Sequence, residues 1–326
     1  MLVLATIVWG LSFPLIKDWM QEADRQAFPG GAPQAALSLI ALRMLSGAIL
    51  ISLLFPRKLG HISGKEFAIG FAIGFINSLA NLLQVWGMQD TSPALSAFFT
   101  SLGSPLVPVL SFILFRSAVA RLTLLGLAFG TAGVLVLSLQ PGDEPIALRR
   151  GDVLTLLSAF LFAVVIISLS RWGKHARPGH LVIGMLAGGG VPAMLLATVI
   201  SITVPACAGW APAMANMLGT PLVLLDVALL VFLPTVMGTY LLTTYQPQVT
   251  ASRAALIYLL EPLFGAMASL AWGHDKLSLS LIIGGTLILG GNLLAELPAM
   301  LRGRSRQPTV SALGEASALT DEPNGS

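Results

Sequence analysis

The sequence predicts an all-α integral membrane protein of about ten transmembrane helices, arranged as two inverted five-helix repeats. Three observations predict it. The composition is 55% hydrophobic and only 10% charged, with mean hydropathy +0.84, whereas a soluble domain carries about 25% charged residues. Stretches free of Asp, Glu, Lys and Arg cover 67–89, 181–225 and 227–252, and about 20 apolar residues suffice to cross the hydrocarbon core as a helix. Finally, a short pattern in the first half recurs in the second.

Spans are expected near 2–19, 35–55, 67–88, 93–115, 121–139, 152–171, 181–204, 222–245, 250–272 and 278–298. The runs are continuous rather than alternating, which excludes a barrel. Helices are then the remaining way to satisfy the backbone in lipid. The first run lacks a basic leader and a small-residue cleavage site, so it reads as a retained helix. Lys17 ends it and is expected to snorkel to the outer surface. The second span contains the lone cation Arg43, and the third carries Gly70, Gly74, Asn77, Asn81 and Gln84 on one helical face. The fourth holds Pro105 and Pro108, the fifth Gly126, Gly130 and Gly133. Tyr240 lies in the eighth, Glu261 and Pro262 in the ninth, Gly284 and Gly291 in the tenth. The stretch 300–326 is polar and proline-punctuated and reads as a disordered cytoplasmic tail.

Orientation follows from Lys and Arg. With the N-terminus inside, the inner segments hold most of them, from Arg57, Lys58 and Lys65 to Arg302, Arg304 and Arg306. The outer segments hold only Lys17, Arg25, Arg149, Arg150 and Lys276. The positive-inside rule therefore expects both termini in the cytoplasm.

Aligning SLGSPLVPVLSFILF with YLLEPLFGAMASLAW places Leu102, Pro105 and Leu106 on Leu259, Pro262 and Leu263. After a one-residue shift, Gly126 and Gly133 fall on Gly284 and Gly291. The repeats are expected at 1–141 and 151–299. An odd number of spans per copy inverts the second copy, and inverted copies meet at a midplane site in transporters.

The segments IVWGLSFPLIK, LIALRMLSGAIL and QPQVTASRAALIYLLEPLFGAMASLAWG resemble the drug/metabolite transporter superfamily, in its EamA-type branch. The resemblance implies a ten-helix, two-repeat permease of the inner (cell) membrane, commonly an exporter of metabolites or amino acids. Family members usually carry a Glu after the fourth and ninth spans. Here Arg116 and Ser117 stand at the first place, His274 and Asp275 at the second.

The residues themselves nominate a site. Glu261 shares a helical side with Ala254, Ile257, Tyr258, Gly265 and Ala268, mostly small residues that favour close helix approach. A carboxylate at mid-bilayer must be paired, hydrogen-bonded, hydrated in a cavity or protonated. Depth along the spans puts Arg43 level with Glu261, so the two are expected to form an ion pair or to share one polar cluster. Pro262 frees the carbonyl of Tyr258, Pro105 that of Ser101 and Pro108 that of Ser104. Broken helices at matched depth point to a transporter's site or hinge; a packing kink without a ligand is the plain alternative. Asn81 and Gln84 are expected to line the cavity, Asn77 to bond between helices. Trp9 and Tyr240 lie deep enough to join the cavity, whereas Trp86 and Tyr245 sit near interfaces. The glycine sets read as packing faces, with a homodimer contact as their other use.

Other chemistry leaves no trace. There is no G-x-x-x-x-G-K-[ST], H-E-x-x-H or C-x-x-C, and Cys207 is the only cysteine. No cofactor, metal or nucleic-acid partner is expected. The partners expected are a small-molecule substrate, the lipid bilayer and protons as coupling ion. The function expected is a secondary active transporter, an exporter of amino-acid-like or drug-like solutes by alternating access. An integral-membrane enzyme or a lipid-binding structural protein is the alternative.

Overall fold

The computed structural model describes residues 1–54, 62–116, 120–137, 148–249, 254 and 257–304. Arg57, Lys58, Ser117, Arg253 and Arg306, the repeat boundary at 141 and the tail from 305 onward lie outside the described residues. Those that are described contain no strand. Seven helices are long and apolar enough to cross a membrane, by length and composition. Two shorter apolar helices, Arg121–Leu137 and Leu279–Ala295, accompany them.

In chain order, α1 (Leu2–Gly10) and α2 (Ser12–Arg25) form one interrupted rod, followed by α3 (Gly31–Leu54) and α4 (Gly64–Gly87). A second interrupted rod is α5 (Pro93–Ser101) with α6 (Gly103–Phe115). Next come α7 (Arg121–Leu137), α8 (Arg150–Trp172) and α9 (Pro178–Thr203). A short helix, α10 (Trp210–Gly219), was not expected; it packs Met217 into the core beside Trp210, Met214 and Leu218. The third rod joins α11 (Pro221–Leu230) to α12 (Thr239–Tyr245) through a π-helical segment, Val231–Gly238. The last described helices are α13 (Glu261–Trp272) and α14 (Leu279–Arg304).

The interruptions share one cause. Turn residues Leu11, Leu102 and Leu259 each stand three positions before a proline: Pro14, Pro105 and Pro262. A proline at position i has no N–H for the carbonyl at i−4, and those carbonyls belong to Gly10, Ser101 and Tyr258, the last helical residues before each turn. Each proline thus falls in the first turn of the following helix, where an N–H has no intrahelical partner anyway. Pro234 does the same to Leu230, the last residue of α11, and the strain is taken as a π segment. Pro108 behaves otherwise: α6 runs through it without a break. Membrane helices tolerate an internal proline when local adjustment re-satisfies the freed carbonyl, so Pro108 does not break its helix, whereas Pro105 and Pro262 mark breaks.

Two glycine faces set the tightest contacts. On α7, a Cβ at Gly133 would lie 2.7 Å from the Gly284 carbonyl of α14, and one at Gly126 would strike the Gly291 carbonyl. The glycines that match between the two halves of the sequence therefore pack on each other within one chain. Their faces are occupied by packing within the chain, as the packing reading expects. Likewise Gly70 and Gly74 of α4 seat against Leu181 and Met185 of α9.

Candidate functional site

All four interruptions converge on one cavity of about 130 Å³. The first rod contributes Trp9, Ser12 and Phe13; the second, Ala97, Thr100, Ser101, Gly103 and Ser104. The third supplies Pro234, Thr235, Thr239, Leu242 and Gln246, and the last break supplies Tyr258, Glu261 and Pro262. Arg43 and Met44 come from α3, Asn77, Asn81 and Gln84 from α4, and Phe162, Val165 and Ile166 from α8. Since about 10–15 Å³ holds one water, the space is far larger than a packing defect. Among the described residues, its charged side chains are Arg43 and Glu261.

Arg43 is 4% exposed in the middle of α3. Its Nε donates to Thr235 Oγ1 at 3.1 Å. That hydroxyl in turn donates to the Leu230 carbonyl at 2.7 Å, the carbonyl that Pro234 deprives of a helical partner. Thr235 thus uses both its donor and its acceptor capacity to tie the π segment to α3. Nη1 of Arg43 is buried and has no hydrogen-bond partner.

Glu261 is the first residue of α13 and is half-buried. An acidic group there complements the positive end of the helix dipole. The expected Arg43–Glu261 ion pair is not formed: the described residues contain no such contact within 4.0 Å. Both line one cavity, as the shared-cluster expectation has it, but the guanidinium is drawn to Thr235 instead. Span depth placed the two charges at one level; it could not place them side by side.

Tyr258 donates its hydroxyl to Gln246 Oε1 at 2.8 Å, and Gln246 Nε2 donates to the Ile166 carbonyl at 3.1 Å. The Trp9 ring meets Tyr258 edge-on, with centroids 5.4 Å apart and planes at 66°. Gly238 admits that indole: a Cβ there would strike Trp9 Nε1. On α4, Asn81 donates to the Asn77 carbonyl at 2.8 Å and Gln84 to Thr100 Oγ1 at 2.8 Å. Asn77 lines the cavity together with Asn81 and Gln84, rather than serving a helix contact alone. Tyr240 does not line it. The cavity face of the third rod runs through Thr235, Thr239, Leu242 and Gln246, and Tyr240 is one position, about 100° of helix, away from Thr239.

Thr235, Thr239, Gln246 and Phe162 escaped the sequence reading. Thr235 and Thr239 are four apart, and Gln246 follows Thr239 by seven; that helical spacing was the available signal. Lys17, at the end of the first span, has protein partners that its place in the sequence did not indicate. Its Nζ donates to the carbonyls of Met88, Gln89 and Thr91 at 2.6, 3.2 and 3.1 Å. It caps the C-terminal end of α4. Nearby, Asp275 accepts from Ala94 N at 3.0 Å and from the Ser269 hydroxyl, so the acid after the ninth span holds the start of α5. Among the described residues no group of three or more His, Cys, Asp or Glu is placed to hold a metal.

Comparisons with known proteins agree with this architecture. The EamA-like transporter family matches residues 1–139 and again 149–296. An uncharacterized transporter of Archaeoglobus fulgidus is 24% identical over 180 residues, covering 55% of this chain and 51% of that protein, so the chain spans about half the length of that relative. The uncharacterized transporter YvbV of Bacillus subtilis is 24% identical over 294 residues, covering 89% of this chain and 88% of that protein. A solved crystal structure superposes with TM-score 0.57 at 18% identity, covering 93% of this chain and 99% of that chain; at that identity the likeness concerns the fold. With apolar helices long enough to cross a bilayer and a family match over nearly its whole length, this chain is a membrane transporter of the EamA-like family.

Proposed function

We propose that this transporter is a secondary one that moves a small, amino-acid-like or drug-like solute through the central cavity by alternating access. The observation that carries this is the convergence of four helix interruptions on one cavity whose charges are Arg43 and Glu261. An interrupted helix can bend where proline removes a backbone hydrogen bond, so the walls of the cavity coincide with the places where the walls can move. Ten helices in two inverted repeats, at 1–141 and 151–299, would then rock about the cavity. The successive family matches to 1–139 and 149–296 support that division. Both termini and the tail 300–326 lie in the cytoplasm of the inner (cell) membrane on the Lys and Arg bias. Export is assigned on the family resemblance. The sequence carries no ATP-binding loop, so a gradient supplies the energy. Glu261, a carboxylate without a hydrogen-bond or ion-pair partner among the described residues, is the proton carrier in this reading.

Counterflow and net uptake in proteoliposomes test it. Counterflow without any gradient, together with accumulation that follows an imposed pH gradient, is the expected result. Counterflow with accumulation indifferent to that gradient would remove the proton, and absence of any solute exchange would remove the transport mechanism.

A further inference from the structure

From the setting of Arg43 we infer that the cavity contains a carboxylate-recognition subsite, formed by the Arg43 guanidinium and fixed in place by Thr235, for a solute that carries one carboxylate on an apolar or aromatic body. The inference rests on the reading of this cavity as the solute site.

Three features carry it. A guanidinium presents donors in a planar fork and has no acceptor capacity, so every N–H needs an oxygen. In Arg43 one need is met by Thr235, while Nη1 is buried and has no hydrogen-bond partner among the described residues. A buried cation without a counter-charge is unfavourable in a medium as apolar as this one. Glu261, the other charge of the lining, lies beyond 4.0 Å. A solute carboxylate in the cavity would supply both the missing acceptor and the missing charge, in the geometry that guanidinium and carboxylate share.

The lining also narrows the anion. Among the described residues Arg43 is the one cation of the cavity, which matches a singly charged carboxylate better than a doubly charged phosphate. Trp9, Phe13, Phe162 and Tyr258, with Val165 and Leu242, offer apolar and aromatic wall for the rest of the solute. Thr235 is a positioning residue here. By holding Nε at 3.1 Å while bonded to the Leu230 carbonyl of the π segment, it orients the fork and couples it to a helix interruption.

The test uses the purified full chain in nanodiscs, with 3-phenylpropanoate, 3-phenylpropanamide and inorganic phosphate as probes, read by thermal shift and calorimetry. The expected result is binding of the carboxylate, with the amide and phosphate at least about tenfold weaker. Arg43→Gln should abolish the preference for carboxylate over amide. Thr235→Val, nearly isosteric, should weaken carboxylate binding while leaving amide binding unchanged. Should Arg43→Gln fail to fold, the wild-type probe pair and Thr235→Val still decide. Equal binding of carboxylate and amide, or a preference that survives Arg43→Gln, overturns the subsite. Either of those results leaves counterflow of another solute intact, so it is distinguishable from failure of the transport reading.

Discussion

Asn292 of α14 donates its side-chain amide to the Ser101 carbonyl at 3.1 Å and to the Ser101 hydroxyl at 3.0 Å. That carbonyl is the one Pro105 leaves without a helical partner. An interruption in one helix is thus sealed by a polar side chain 191 positions away, itself fully buried. Replacing Asn292 by Ala should cost about 1–2 kcal/mol of stability. In a Pro105→Ala background the cost should shrink, because residue 105 regains an N–H for Ser101. Thermal unfolding of the four members of that cycle checks it; equal costs in both backgrounds would refute the pairing.

Lys17→Met should loosen the α4–α5 connection. The substitution keeps the length of the side chain and removes the charge-assisted bonds to Met88, Gln89 and Thr91. A loss of about 1.5–3 kcal/mol is expected, together with faster amide exchange around residues 88–92. Exchange that stays at the wild-type rate would mean that Lys17 caps nothing in the membrane.

Gly133→Val should push α7 from α14, since even a Cβ would sit 2.7 Å from the Gly284 carbonyl. Overpacking of this kind costs about 1–3 kcal/mol. Gly290→Ala on α14 is the control, because a Cβ there meets nothing within 4 Å. Comparison of the two melting temperatures reads the effect directly.

Glu261→Gln keeps shape and removes the titrating group. If Glu261 carries the coupling proton, the variant should retain counterflow and lose accumulation driven by a pH gradient. Wild-type accumulation by the variant would assign Glu261 to the structure of the break alone.

Much of the cavity lining could be read from the sequence, residue by residue. Arg43, Glu261, Asn81, Gln84, Tyr258, Trp9 and Pro262 all line the cavity, because an isolated polar or small-residue face in an apolar helix has few places to go but the protein interior. Tyr240 was misplaced because depth alone recommended it, and its neighbour Thr239 holds the cavity face instead. Proline proved an incomplete guide. Pro14, Pro105 and Pro262 each begin a new helix, Pro234 yields a π segment, and Pro108, Pro192 and Pro298 are carried inside helices. Whether a freed carbonyl ends a helix depends on what else can reach it.

The sequence by itself determined the solvent, the helical character and the family resemblance. Long charge-free runs leave lipid as the surroundings, and lipid requires each helix to satisfy its own backbone. Periodicity then assigned faces to residues. Only the tertiary structure decided which neighbour each face meets. The partners of Arg43, Ser101 and Lys17 come from elements 192, 191 and 71–74 positions distant. A helical repeat reports a direction around its own axis and a depth along it, but the helix waiting in that direction is chosen by packing, here by glycine faces that let α4 meet α9 and α7 meet α14.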